Sequence, residues 1–384
     1  MTRRIVVAMT LMALTLSVAG CGSSSSTSAS ASSSADSTAA ASESTTVSSV
    51  SSESADASGE EVSTASSTSE SVAASSSDAV DPSEYTDWNW PSVDKLNIGY
   101  SQADNASTWR TVESDSLQEA CDEKNIPITI VNANGDTNQQ LSDVESLISQ
   151  GCNVIVITAI DADAIQPALD ECRDQKIPVL LKSRGSNGVP GVDYVTFMAS
   201  DFVFEGESAA NWMIKQAKTD GIDQLNVCEV QGVIGGTDVR DRSQGFHNVA
   251  DAAGVNTVVQ QSANWSRTEA QELASNVLSS HPEVNAFFCQ NDEMALGVSL
   301  AVQSAGLTVG KDVYIVGIDG MKESLDAIKA GTQSASITCT PKFGPEFLEH
   351  IIEGCEGQTL KTYYKVDDKT VDITNVDEFY ELGF

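Results

Sequence analysis

The stretch LSDVESLISQGCNVIVITAIDADAIQPALDECRDQKIPVLLKS, residues 141–183, alternates two patterns. Its runs NVIVIT and PVLLKS hold continuous apolar residues too few for a helix and without the alternation of a half-solvated sheet. The segments around them, LSDVESLISQ and IQPALDECRDQ, space their apolar residues as a helix does. Short strands that are apolar on both faces, separated by helices, belong to a parallel sheet covered on both sides.

The same alternation extends in both directions. Before it lie LNIGYS, a helical pattern ending near Lys124, and ITIVNA. After Asp201 a second series begins: a helix through SAANWMIKQA, LNVCEV, a helix from Arg242 to Ala253, TVVQQS, RTEAQELASNVLSS, AFFCQ, MALGVSLAVQSAG, VYIVGI and MKESLDAIKAG. Two series of this length, in roughly 290 residues, predict two lobes rather than one core.

The charge is unevenly spread. The chain has 384 residues and a formal charge of −34. Arg3 and Arg4 precede an apolar run, Ile5 to Leu16, too short for a permanent membrane helix. It ends at Val18-Ala19-Gly20-Cys21, which resembles a bacterial lipobox in which Cys21 is lipidated. From Gly22 to about Ser92 the sequence is mostly Ser, Ala and Thr with eleven acids and no Lys or Arg. Such a segment cannot offset the entropy of ordering and is expected to be a disordered tether. The remainder carries 44 acids against 19 bases, a balance that argues against nucleic acid and against charge-driven binding to anionic lipid. Seven cysteines remain after Cys21, an odd number with no CxxC pair. They read as buried thiols rather than a disulfide framework or a zinc site.

Ligands of open parallel sheets bind beyond the carboxyl ends of the strands. The residues following the predicted strands are Asp104, Trp109 and Arg110; Ser183 and Arg184; the turn Gly232-Val233-Ile234-Gly235-Gly236 leading to Arg240 and Arg242; Asn264, Trp265 and Arg267; Asn291 and Asp292; and Asp319. None of the three histidines, His247, His281 and His350, is among them, and no GxSxG, HExxH or GxxxxGK[ST] occurs. Nucleophilic catalysis, a bound metal and a cofactor are therefore not expected. Asp292 and Glu293 are adjacent at a helix start, where acids complement the dipole, and are expected to cap that helix. Indoles, guanidiniums, amides and carboxylates suit a neutral polyol: the planar groups share paired hydrogen bonds with neighbouring hydroxyls, and an indole covers the apolar face of a sugar ring. Taken singly, Trp109 and Trp265 read equally well as core aromatics, and Arg184 and Arg242 as surface guanidiniums.

From Lys95 to Phe384 the sequence resembles the ribose-type family of substrate-binding proteins of sugar ABC transporters. The resemblance rests on GYSQ with Trp109-Arg110, ISQGCNVIVIT, IPVLL before Arg184, VQGVIGGTDVRDRSQGF, QNDEMALG, GIDG, and ASITCTP with Phe343-Gly344-Pro345. Within the family it is most similar to the galactofuranose-binding branch. The resemblance implies an α/β fold of two doubly wound parallel-sheet lobes joined by a three-segment hinge. One lobe would be residues 93–200 with about 340–365, the other 201–339 with about 366–384. It also implies that Trp109, Arg110, Arg184, Arg242, Trp265, Asn291 and Asp319 bind a monosaccharide, with Trp109 and Trp265 as stacking rings. Two departures bear on the sugar: Ser183 stands where the family usually has Asp, and Cys339 where ribose binders carry Gln.

The resulting expectation is a monomeric, lipid-anchored extracytoplasmic protein that delivers a monosaccharide to an ABC permease. A sensor presenting sugar to a membrane kinase or chemoreceptor would share the fold. So would an intracellular repressor, but a Ser-rich tether occupies the place of its DNA-binding head. A glycosidase is the remaining class.

Overall fold

The computed structural model describes residues 85–384. The expected signal segment, the expected lipidation site Cys21 and the tether as far as residue 84 lie outside the described residues. Among the described residues no helix is long and apolar enough to cross a membrane.

Strands β1 (Ile98–Gln102), β2 (Ile128–Asn132), β3 (Val154–Ile157), β4 (Val179–Lys182) and β5 (Thr196–Ser200) form one sheet, interleaved with α1 (Thr108–Lys124), α2 (Thr137–Ser149) and α3 (Gln166–Asp174). The chain then passes through α4 (Phe202–Asp220) to a second sheet. This contains β6 (Asn226–Gln231), β7 (Asn256–Ser262), β8 (Ala286–Cys289), β9 (Tyr314–Asp319) and β10 (Ala335–Thr338). Helices α5 (Thr237–Ala250), α6 (Arg267–Ser280), α7 (Asp292–Ser304) and α8 (Lys322–Ala330) connect them. It returns to the first sheet through α9 (Gly344–Cys355) and β11 (Tyr363–Val366), and crosses again to β12 (Thr370–Asp372) and α10 (Val376–Phe379).

The strand orders are β11-β5-β4-β3-β1-β2 and β12-β10-β9-β8-β6-β7. Every pairing is parallel except β12 against β10. The expected two-lobed α/β fold is thus present, with one short antiparallel edge that the purely parallel reading did not include.

The central strands β3, β4, β8 and β9 are buried throughout, as their uninterrupted apolar runs require. Alternate residues serve opposite faces. In β8, Ala286 and Phe288 join a core with α4 residues Ala209 and Met213, while Phe287 and Cys289 join another with Leu273 and Val298 of α6 and α7. Burying each large apolar side chain contributes about 1.5–3 kcal/mol. The seven cysteines are all unpaired, and six are buried among these apolar groups.

One boundary differs from expectation. The composition places residues 85–92 in the tether, yet Thr86 donates its backbone N–H to the Gly191 carbonyl at 2.9 Å and Asn89 to that of Lys176 at 2.8 Å. Trp90 lies against Gly354 of α9, and Trp88 packs on the core that holds Leu169 and Leu181. The two indoles bury enough apolar surface to order a segment whose upstream composition is almost purely polar.

Candidate functional site

The carboxyl ends of both sheets face one cavity of about 600 Å3, and all seven predicted residues line it: Trp109, Arg110, Arg184, Arg242, Trp265, Asn291 and Asp319. Asp104 and Arg267 reach its wall as well, whereas Arg240 does not and pairs with Asp241. The three histidines lie elsewhere, each beside a carboxylate: Glu229, Glu283 and Glu353.

Trp109 and Arg110 open α1, whose first turn Ser107 caps by accepting from the Arg110 backbone N–H. The Trp109 indole Nε1 donates to the Cys339 carbonyl at 2.6 Å, tying the ring to the link between β10 and α9. Arg110 is buried, donating to Glu113 Oε2 at 2.9 Å and to Ser183 Oγ at 2.7 Å. Glu113 also receives Lys182 Nζ at 2.9 Å. Burial alone would raise the Glu113 acid, but Lys182 and Arg110 outweigh it and hold the group at about 2.

From the second sheet, Arg242 donates to Glu205 Oε2 at 2.6 Å, to the Gln290 carbonyl at 2.7 Å and toward Cys339 Sγ at 3.3 Å. Arg184 reaches across instead. Its Nε donates to Asp238 Oδ2 at 2.8 Å, and Arg110 Nη2 stands 3.9 Å from the same oxygen. Three further contacts join the two sides: Gly185 N–H to Thr237 Oγ1, Arg240 to Asn187, and the Ala162 N–H to the Gly235 carbonyl.

Trp265 follows β7 with a φ of 62°, one residue after Asn264 at 52°. Its ring lies over the turn at Gly232, where a Cβ would come within 2.0 Å of the indole. The ring centroid is 5.8 Å from each of the Arg184 and Arg242 guanidiniums, and the buried Nε1 has no partner.

Asn291 is itself the helix cap, accepting the Met294 N–H at 2.9 Å. This corrects the expectation that Asp292 and Glu293 cap α7. Asp292 is fully buried and bonds the turn after β9, and Glu293 pairs with Arg267 at 2.8 Å. The first-turn dipole argument identified acids suited to the position, but tertiary partners claimed both. Asp319 ends β9 with a φ of 138°; among the described residues no side chain donates to its carboxylate, which the Asp292 backbone N–H faces. Burial, then the nearby Asp292 carboxylate, pushes its acid well above the ordinary range.

The arrangement has a clear chemical preference. Every arginine in the cavity wall already faces a carboxylate: Arg110 with Glu113, Arg184 with Asp238, Arg242 with Glu205, Arg267 with Glu293. An anion would find no uncompensated cation there, while a neutral ligand rich in hydroxyls finds the Asp319 carboxylate, the spare N–H groups of the arginines, and two indoles. Asp238, Glu113 and Lys182 were not singled out from sequence. Asp238 stands four residues before Arg242 on one helix face, and Glu113 three after Arg110, spacings that could have indicated them. Lys182 ends an otherwise apolar strand.

A family model described as a periplasmic binding protein domain matches residues 98–342. The Ribose import binding protein RbsB of Bacillus subtilis (strain 168) is 34% identical over 242 residues, covering 62% of this chain and 75% of that protein. The Galactofuranose-binding protein YtfQ of Escherichia coli (strain K12) is 28% identical over 257 residues, covering 66% and 80%. Among solved structures, one of a galactofuranose binding protein superimposes with a TM-score of 0.71 at 25% identity, covering 74% of this chain and 97% of the other.

Proposed function

This chain belongs to the periplasmic binding protein domain family, within its type I sugar-binding group, and from that premise we propose that its cavity captures one neutral monosaccharide for an ABC permease. It is a binding protein and not an enzyme, as its relatives are. The observation that carries the reading is the internal neutralisation of every cavity arginine beside the cavity-lining Asp319 carboxylate, to which no side chain donates. In this reading Arg110, Arg184, Arg242 and Asn291 donate to hydroxyls, Asp319 accepts from them, and Trp109 and Trp265 cover the faces of the ring.

The lobes close over the sugar by bending where the chain crosses between sheets, after Ser200, after Thr338 and between Val366 and Thr370. The first lobe is residues 85–200 with about 340–366, and the second is residues 201–339 with about 367–384. Lipidated Cys21 and the tether to residue 84 hold the protein at the outer face of the cell membrane, as a monomer. A furanose, galactofuranose first, is the sugar favoured, because relatives and structural neighbours with that ligand in their names are among the matches.

A thermal-shift screen of residues 85–384 against pentoses and hexoses, their acids and their phosphates tests this. A neutral sugar at a hundred times its dissociation constant is expected to stabilise by about 2.7 kcal/mol, and to be recovered unchanged. Stabilisation by sugar acids or phosphates alone would overturn the reading.

A further inference from the structure

Asp292 opens α7, where an acid needs only to face the helix dipole. Its carboxylate does more. Oδ2 accepts the backbone N–H groups of Gly320 and Met321, both at 2.9 Å. Oδ1 accepts from Gln333 Nε2 at 3.0 Å and from Ser336 Oγ at 2.9 Å. Space is reserved for it as well: a Cβ on Gly317 of β9 would lie 2.2 Å from Oδ1.

The two backbone groups it holds are those directly after Asp319. With φ at 138°, Asp319 occupies a backbone region that glycine enters freely and other residues avoid. A conformation of that kind persists only where its surroundings over-determine it. Here the Asp292 carboxylate, from the neighbouring strand-to-helix turn and fixed by Gln333 and Ser336, takes both N–H groups; Ser336 Oγ shares the Gly320 N–H at 3.1 Å, and the Cys339 N–H holds the Asp319 carbonyl at 3.0 Å.

We propose that Asp292 is the positioning residue for Asp319: by clamping the Gly320 and Met321 N–H groups it holds the Asp319 backbone in its strained form and so aims the Asp319 carboxylate at the cavity. The proposal rests on the reading that Asp319 meets the sugar. It gives Asp292 an indirect role, exerted through the turn and without contact to a ligand.

The test uses Asp292→Asn and Ser336→Ala, each in the parent protein and in Asp319→Asn. The first readout needs no sugar: in the crystal structure of Asp292→Asn the φ of residue 319 is expected to relax to a negative value and its carboxylate to leave the cavity wall. Ser336→Ala, which removes one donor to Asp292 and the second acceptor of the Gly320 N–H but keeps the charge, should show a smaller displacement, and carries the same test should Asp292→Asn not fold. Unchanged Asp319 geometry in the variant that folds overturns the proposal. The second readout is calorimetry with D-ribose and D-galactose. Asp292→Asn is expected to weaken whichever sugar binds by about 10- to 100-fold, and by less than about twofold once Asp319 is already Asn. Full additivity with Asp319→Asn would overturn the positioning role. If neither sugar binds the parent protein, it is the monosaccharide reading that loses ground, while the crystal structures still decide the role of Asp292.

Discussion

Replacing Asp238 by Asn should open the cleft. Asp238 stands on α5 of the second lobe, 5% exposed, and is the carboxylate that Arg184 of the first lobe meets at 2.8 Å. At an effective dielectric near 20, unit charges at that separation attract by about 6 kcal/mol. Rehydration of both groups on opening returns much of this, so that losing the charge is expected to disfavour the closed form by about 2–4 kcal/mol. If closure is required for capture, sugar affinity falls about 30- to 900-fold. Asp238 also lines the cavity, so weakened binding alone could reflect a lost ligand contact. Small-angle scattering without sugar separates the two. Asp238→Asn should have a larger radius of gyration than the parent protein, and saturating sugar should restore compactness. A ligand-free variant as compact as its parent would refute the ion-pair argument, whatever the affinity.

Trp265→Ala should remove a stacking surface and weaken sugar binding about 5- to 150-fold by calorimetry, equivalent to about 1–3 kcal/mol. A melting point lowered by many degrees with normal binding would make the ring a core residue. His247 is raised to about 9, first by its hydrogen bond with buried Glu229. Its contribution to stability is therefore complete below an unfolded value of about 6.5 and lost as pH rises through about 9. The melting temperature of ligand-free protein should fall across that window, and the fall should be absent in His247→Gln. Cys21→Ser should release the protein into the medium or leave it unprocessed, as read by fractionation; normal processing with continued membrane attachment would count against lipidation there.

The parts of the fold legible in sequence were those governed by local periodicity. VIVI, VLLK and AFFC could be assigned to buried parallel strands because each is apolar on both faces, and strand ends then located Trp109, Arg184, Trp265, Asn291 and Asp319. The antiparallel edge β12 escaped because three residues, Thr370–Asp372, carry no pattern to read. Trp88 and Trp90 escaped because the polar composition upstream outweighed two indoles in a running average. The cap of α7, expected at Asp292 and Glu293 and found at Asn291, was misassigned for a different reason. Either residue can cap a helix, and only the proximity of Gly320 and Met321, 28 and 29 residues away, decides which one does.

The electrostatic wiring of the cavity belongs to that second kind of information. Glu205 and Arg242 are 37 residues apart, Arg184 and Asp238 are 54, and Glu113 and Lys182 are 69, so no spacing rule joins them. The wiring also gives a physical sense to the two positions that depart from the ribose-type pattern. Ser183 accepts from Arg110 and Cys339 receives Arg242, so both face protein guanidiniums. Each substitution exchanges a side chain able to share paired hydrogen bonds with a ligand for a smaller group engaged in holding an arginine. On the proposed function, the hydroxyls that the cavity can satisfy are then set chiefly by Asn291, Asp319 and the arginine N–H groups not spent on carboxylates. A sugar presenting more hydroxyls at the walls near Ser183 and Cys339 would bury them without partners, which costs more than a neutral hydrogen bond returns. On the proposed reading, selectivity at those walls works by penalising surplus hydroxyls. Restoring Asp at 183 should accordingly broaden the range of sugars bound in a calorimetric panel, and a panel that narrows instead would show that Ser183 itself supplies a ligand contact.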